Sequence, residues 1–529
     1  MALLFLAATG VRADEKDAAS SPRQETGFPV ATPESQGMSE KALDSLAAVV
    51  RHSFEKDQIV GAELLVIKNR RTVLHEVVGW RDRENKTLMA HNTIFNIRSM
   101  TKPLTGAAIQ ILIDRGDLKL SDRASKYIPG FDNAKSNGIT IEQLLAHRSG
   151  LPLSAFTIGP RQFKDLQAIA NTVGEKGPQF PPSSKFWYSD AGSDVLGAIV
   201  EKTSGKTLDE FWHRNLLDPL AMHDTFCAID RIDKQSEPRW GRLASLYMAG
   251  QSQNKGWFPF WKPTGKPLYP FAWGSQTLYS TPADYARFLA MWMDDGMVKD
   301  KRILSAAAIA RTLTPVSNMK SLGSDRPYPT GFPGFDTFYG QMSVLYKKSD
   351  APQEAKPVVI GHSGSDGTWA WAWPEQDLMV FYFTQSRGQR TGIGLEFRIN
   401  RLLIQPKAPK TELRVTAEND PSLSRVIGEW EGKIEIGKTR AQQILWRFEI
   451  SDSGELVGFM GPANRGVAWI PMQNLVLTDS EISFDVKSQK GKYKGLLTED
   501  KVSGTWSQRG GSRPMKMTKI NFDRQVGEE

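Results

Sequence analysis

A serine and a lysine three residues apart, Ser99 and Lys102 in Ser99-Met100-Thr101-Lys102, are the residues whose types and spacing could do covalent chemistry. A serine hydroxyl is a poor nucleophile until a neighbouring base takes its proton. A lysine amine can be that base where burial or nearby cations lower its pKa enough to leave it neutral. A three-residue offset puts both side chains on one helix face, about one turn apart. The flanking pattern supplies the helix. Thr93 to Ile97 reads as a short extended segment, and Leu104, Ala107, Ala108, Ile111 and Leu112 then recur at helical spacing. Pro103 agrees, because proline is tolerated in a first turn. Ser99 thus stands near a helix N-terminus, where backbone N–H groups lack intrahelical partners. The spacing alone is weak, since Ser53/Lys56, Ser252/Lys255 and Ser317/Lys320 match it too. Ser99 is singled out by the company it keeps.

That company is spread along the chain. Tyr188-Ser189-Asp190 follows a Pro-Pro-Ser-Ser loop and precedes a helix from about Ala191 to Thr203. Tyr188 therefore lies where a hydroxyl can project into a cleft. Gly361-His362-Ser363-Gly364-Ser365-Asp366-Gly367 opens a strand with small residues that let a ligand approach the backbone. Between them, Thr140 caps a short helix that Ser149-Gly150 stops, and His147 and Ser149 read as ties for loop backbone near the site. The aromatic-rich stretch 231–273 fits packing within an insertion and a pocket wall equally well.

The elements that must position these residues follow from periodicity. Ser39 caps a helix carrying Leu43, Leu46, Val49 and Val50 on one face. Ala62 to Lys68 and Thr72 to Gly79, joined by Asn69-Arg70-Arg71, predict a β-hairpin. Ser280-Thr281-Pro282 opens a helix through Met293. Trp369, Trp371 and Trp373 alternate with alanines, so three large rings share one strand face. Leu378 to Thr384 predicts a central strand. Domain boundaries are expected at a signal peptide over 1–13, a lead-in over 14–37, the main domain over 38–404, and a linker over 405–423. An antiparallel β-barrel over 424–525, with about eight short strands, completes the chain.

Bulk properties exclude other classes. The 529 residues carry a net charge of +8 without a basic block, which argues against nucleic acid as a partner. A single cysteine, Cys227, allows no intrachain disulfide. Seven histidines with no His-x-x-x-His or His-Glu-x-x-His pair argue against a metal, and no cofactor is expected. Ala2 to Val11 reads as the apolar part of a secretion signal, although no Lys or Arg precedes it. Export to the periplasm or outside follows as an expectation, with no integral membrane span.

Three motifs in chain order, Ser99-x-x-Lys102, Tyr188-Ser189-Asp190 and His362-Ser363-Gly364, resemble those of the serine β-lactamase and penicillin-binding-protein superfamily. The likeness is nearest to class C β-lactamases and their esterase-like relatives, and covers about Ser39 to Leu402. It implies an α+β fold: an antiparallel sheet packed with helices, plus an all-helical lobe, with the site at their junction. Carried over, Ser99 would be the acylated nucleophile, and Lys102 and Tyr188 would share base and proton-shuttle work. His362 would help hold a cationic, polar site with Ser363 and Gly364. The N–H groups of Ser99 and Ser365 would form the oxyanion hole. Asp190 departs from the usual Asn, which donates to a substrate carbonyl where an ionised Asp only accepts. Pairing with Lys102 would raise the lysine pKa and oppose a neutral base. Gly274-Ser275 replaces a Gly-Gly pair, read as a pocket-wall change. The C-terminal strands resemble the lipocalin-like domain of some such hydrolases, through Gly428-Glu429-Trp430-Glu431-Gly432 and Gly504-Thr505-Trp506.

The expectation is a serine hydrolase acting on a small ester, amide or short peptide. A β-lactamase or D-alanyl peptidase, and a catalytically silent binding protein on the same fold, are the alternatives. A nucleophile elbow at Gly361-His362-Ser363-Gly364 fails at Ser365, where that motif needs glycine.

Overall fold

The computed structural model describes residues 27–154, 160–250, 256–319, 332, 335–349, 351–352, 354–387, 395–399, 403–404, 425–436, 440–450, 456–462, 470–478, 480–508 and 510–520. The expected signal segment and linker lie outside them. Among the described residues no helix is long and apolar enough to cross a membrane.

The main sheet is built from β1 (Gly61–Lys68), β2 (Arg71–Asp82), β3 (Thr87–Leu88), β4 (Ser317–Asn318), β5 (Phe335–Tyr339), β6 (Val344–Lys348), β7 (Val359–Ser363), β8 (Trp369–Trp373) and β9 (Leu378–Thr384). Its order is β4-β5-β6-β7-β8-β9-β1-β2-β3, with every neighbour antiparallel. The chain start and the strands after His362 therefore meet at the β1–β9 pair, where Leu65 faces Phe381. The predicted hairpin forms with a tighter turn than expected. Arg71 already pairs with Lys68, leaving Asn69 and Arg70 as a two-residue loop at φ 50° and 57°. Two positive φ values match the twist of the flanking strands.

Both faces of the sheet are buried, which is why β9 is apolar throughout rather than alternating. One face carries Trp369, Trp371 and Trp373 with Leu43, Leu46, Val49 and Val50 of α1 (Glu40–Glu55). The other carries Leu65, Ile67, Ala370, Ala372, Phe381 and Phe383 against α2 (Thr101–Asp114) and the helices that follow. The alternation of tryptophan and alanine thus separates two packing layers. Each fully buried large apolar side chain contributes about 1.5–3 kcal/mol.

The helical lobe comprises α2, α3 (Ile141–Leu145), α4 (Leu166–Lys176), α5 (Asp190–Ser204) and α6 (Leu208–Trp212), and α7 (Pro282–Met293) lies against the sheet. The predicted caps are present. The Ser39 hydroxyl accepts from the Ala42 N–H at 3.2 Å, and Thr140 with Gln143 forms a reciprocal capping box.

Near the C-terminus nine strands, Gly428–Ile436 to Gly511–Lys519, form one sheet that curls into a nearly closed barrel. Strand Gly491–Leu497 alternates buried and exposed residues, so one face packs on Trp430, Trp446, Phe484 and Trp506. Gln473–Leu477 is the strand that periodicity missed, because Leu475 and Leu477 reach the core only partly.

Candidate active site

Ser99 sits on a 3₁₀ turn, Arg98–Met100, that runs straight into α2 at Thr101. The turn is strained, because Arg98 has φ +46° without being glycine, a conformation costing about 1–3 kcal/mol. Its surroundings hold it there. The Asn96 side-chain oxygen accepts from the Arg98 N–H at 2.9 Å. The buried guanidinium donates to Asp366 at 2.5 Å and to the Tyr269 hydroxyl at 2.6 Å.

α2 is buried from Thr101 to Leu112, so Lys102 in its first turn has no exposure. Its ammonium donates to Ser99 Oγ at 3.1 Å, to Asp190 Oδ1 at 2.6 Å and to the Ser275 carbonyl at 3.1 Å. It also lies 4.7 Å from the centre of the Tyr188 ring, a cation–π contact. The Lys102 ammonium and the Ser99 hydroxyl both act on Tyr188 to lower its pKa. Burial alone pushes the Lys102 pKa down, but the charge and hydrogen bond of Asp190, with the nearby Tyr188, outweigh it. The net direction is upward, so Lys102 is an ammonium here. Burial raises Tyr188 above its ordinary value, partly countered by Lys102. Gly274-Ser275 is thus more than pocket wall, since Ser275 supplies one of the three acceptors for the ammonium.

Tyr188 is placed from both sides by His147. The Trp187 N–H donates to the His147 carbonyl at 2.8 Å, and the Ser189 N–H donates to His147 Nδ1 at 3.3 Å. Ser189 then caps α5, accepting from Gly192 N–H at 2.8 Å, which sets Asp190 in the first turn. That reading of His147 as a tie for backbone matches its place in the fold.

Sequence reasoning assigned nothing to Tyr339, yet its hydroxyl is 3.1 Å from both His147 Nε2 and His362 Nε2. The partners assign the protons. His147 Nδ1 accepts, so its Nε2–H faces the Tyr339 oxygen. His362 Nδ1 is 2.8 Å from the Ser363 carbonyl, which only accepts, so His362 Nε2 receives the Tyr339 proton. The result is a buried wire of neutral groups from the Tyr188 segment to β7. Burial and the Lys102 charge push His362 down to about 3. Lys102 thus carries the positive charge beside His362, which burial and that charge hold toward its neutral form.

β7 ends against the serine turn. A Cβ on Gly364 would lie 2.5 Å from the Ile97 carbonyl oxygen, so glycine permits that approach. β7, which ends at Ser363, packs against the Arg98–Met100 turn, and beyond it Ser365 is exposed with its Oγ accepting from Arg387 at 2.6 Å. The aromatic insertion divides. Trp240 and Trp261 pack with Tyr279, which lies beyond the stretch, in a core of their own, while the exposed Phe260 lies between Arg98 and Arg387, 5.8 and 5.6 Å from their guanidinium carbons.

One turn along α5, the buried Asp194 accepts from the Ser275 N–H at 3.0 Å. Burial, with the Asp190 charge adding to it, pushes its carboxyl up to about 8. An unfolded Asp titrates near ~3.9. Between these values the folded chain holds a proton that the unfolded chain has lost, so stability falls as pH rises through that window. Asp194→Asn keeps an acceptor without the charge. It is expected to raise the melting temperature at pH 8 by several degrees and to change little at pH 5. Thermal melts of both proteins at the two pH values check this.

A family model described as Beta-lactamase matches residues 46–400. The chain belongs to that family. Protein flp of Staphylococcus aureus (strain MW2) is 31% identical over 184 residues, 34% of this chain and 37% of the relative. The chain therefore aligns with little more than a third of the length of that curated relative. The uncharacterized protein MT1414 of Mycobacterium tuberculosis is 26% identical over 378 residues, 65% of this chain and 90% of the relative. Among solved structures, the octameric penicillin-binding protein homologue from Pyrococcus abyssi superposes with a TM-score of 0.59 at 22% identity, covering 89% of this chain and 99% of that one. EstCE1, a hydrolase with promiscuous acyltransferase activity, superposes at 0.54 with 20% identity, covering 69% and 98%. At these identities the superpositions establish the fold.

Proposed function

We propose that this chain is a secreted serine hydrolase that works through an acyl-enzyme on a small ester, amide or short peptide. The contact of Ser99 Oγ with the buried Lys102–Tyr188–Asp190 cluster supports this most directly. Ser99 Oγ attacks the acyl carbonyl carbon as its proton passes to the basic form of the Lys102–Tyr188 pair, the Tyr188 phenolate or the Lys102 amine, which is the minor form at rest because both groups are held above their ordinary values. At rest the Lys102 ammonium, with its three N–H groups on Ser99, Asp190 and Ser275, holds Ser99 in place. The N–H groups of Ser99 and Ser365 receive the oxyanion, and a lost donor of that kind costs about 3–4 kcal/mol. The same pair returns the proton to the leaving alcohol or amine. Water then repeats the sequence on the ester, releasing acid and regenerating Ser99. Ser363, Gly364 and His362 shape the strand edge along which the substrate lies. The ionised Asp190 offers a β-lactam or peptide carbonyl no donor, which favours esters over β-lactams.

The test is intact mass after exposure to a fluorophosphonate, followed by peptide mapping. One adduct, on Ser99, is expected. An unlabelled, folded protein would return the weight to a silent binding protein, and an adduct on another serine would relocate the site.

A further inference from the structure

Outside this cluster, Glu63, His75 and His91 bring their donor atoms within 4.8 Å of one another. Local sequence spacing gives no sign of it, because strand register makes the cluster. In the β1–β2 pair Leu65 lies opposite His75 and Glu63 opposite Val77, so Glu63 and His75 are diagonal neighbours on one face. His91 arrives from the turn after β3. The rings of His75 and His91 are 4.1 Å apart between centroids and inclined by 59°. Glu63 is fully buried, and its Oε1 is 2.7 Å from His75 Nε2. Among the described residues its second oxygen, Oε2, has no hydrogen-bond partner. A buried carboxylate oxygen left so is costly and calls for an explanation.

We propose that Glu63, His75 and His91 bind a divalent transition-metal ion of the zinc type. Two imidazoles and one carboxylate suit zinc and its neighbours, whereas calcium and magnesium favour oxygen-only sets. Donors about 2.0–2.2 Å from a tetrahedral ion stand roughly 3.4 Å apart, so the site forms by small side-chain rotations. Partial exposure of His75 and His91 leaves a path for the ion and a position for water. Glu63 Oε2 gains the cationic partner it lacks. The ion ties the β1–β2 edge to the segment that leads from His91 to the Ser99 turn, so its role is to brace that approach rather than to act on substrate.

The experiment uses untagged full-length protein stripped with a chelator. Zinc is titrated calorimetrically, cobalt is followed by visible absorption, and His91→Ala is run beside the wild type. Expected are one equivalent of zinc, cobalt d–d bands, a higher melting temperature with zinc, and affinity lowered by more than about a hundredfold in the variant. A second readout avoids mutation: zinc slows diethylpyrocarbonate modification of His75 and His91, mapped by mass. No stoichiometric binding by the wild type overturns the proposal. So does unaltered affinity in a folded His91→Ala protein, or binding that leaves both histidines unprotected.

Discussion

Replacing Ser99 with alanine lowers kcat/KM on an activated ester by roughly 10⁴- to 10⁶-fold and abolishes the fluorophosphonate adduct. The size follows from the arrangement. Ser99 Oγ is the atom held by the buried ammonium at 3.1 Å, so its removal leaves the Lys102–Tyr188 pair with no nucleophile to activate. Stability changes little, because the strained turn is held by Arg98, Asn96 and Asp366 rather than by the serine. The other matches to the same spacing have different uses. The Ser53 hydroxyl donates to Val49 carbonyl at 2.8 Å inside α1, and Ser317 donates to Ala146 carbonyl at 3.1 Å. Ser252 lies outside the described residues. Kinetics and melting of Ser99→Ala beside the wild type check the expectation. Activity within tenfold of wild type would sink the assignment.

What could be read from sequence was local. Ser39 and Thr140 announced helix starts because a capping side chain acts within three residues of itself. The Trp-Ala alternation announced a strand with unlike faces because strand side chains repeat every second residue. The three candidate motifs were legible because each is a short run whose residue types could do chemistry. The Lys102–Asp190 pair was foreseen as a consequence of Asp190, and the two meet at 2.6 Å across 88 positions of chain. Tyr339 was invisible for the opposite reason. Nothing near it in sequence tells that β5 will place its hydroxyl between His147 and His362. The burial that pushes His362 toward its neutral form is likewise not something a motif reports. Glu63, His75 and His91 are likewise joined only by the register of β1 on β2. Strand Gln473–Leu477 escaped because its residues alternate between intermediate and exposed, so its apolar face is faint.

Asp190→Asn moves the acidic limb of the kcat/KM profile to lower pH by about 1–3 units, the range for losing one close opposite charge. The sign is fixed by what Asp190 does now. Its carboxylate raises Lys102, against a burial effect that acts downward, and it also raises Tyr188. Without it, burial acts on Lys102 with less opposition, and Tyr188 faces the ammonium alone, so both pKa values fall. Whichever of the two takes the Ser99 proton, the basic form becomes more abundant near neutrality and the limb shifts the same way. The amide also adds a donor where the carboxylate only accepts. Acylation by a β-lactam such as nitrocefin is therefore expected to rise relative to ester turnover. Asp190 is partly exposed, with 23% of its side chain open, so a substrate carbonyl can reach the new amide. Initial rates on one ester between pH 5 and 10, with nitrocefin at a fixed pH, measure both effects. A limb that stays put while the rate drops uniformly means that Asp190 only positions Lys102, and that its charge does not set the protonation state on which the reaction depends.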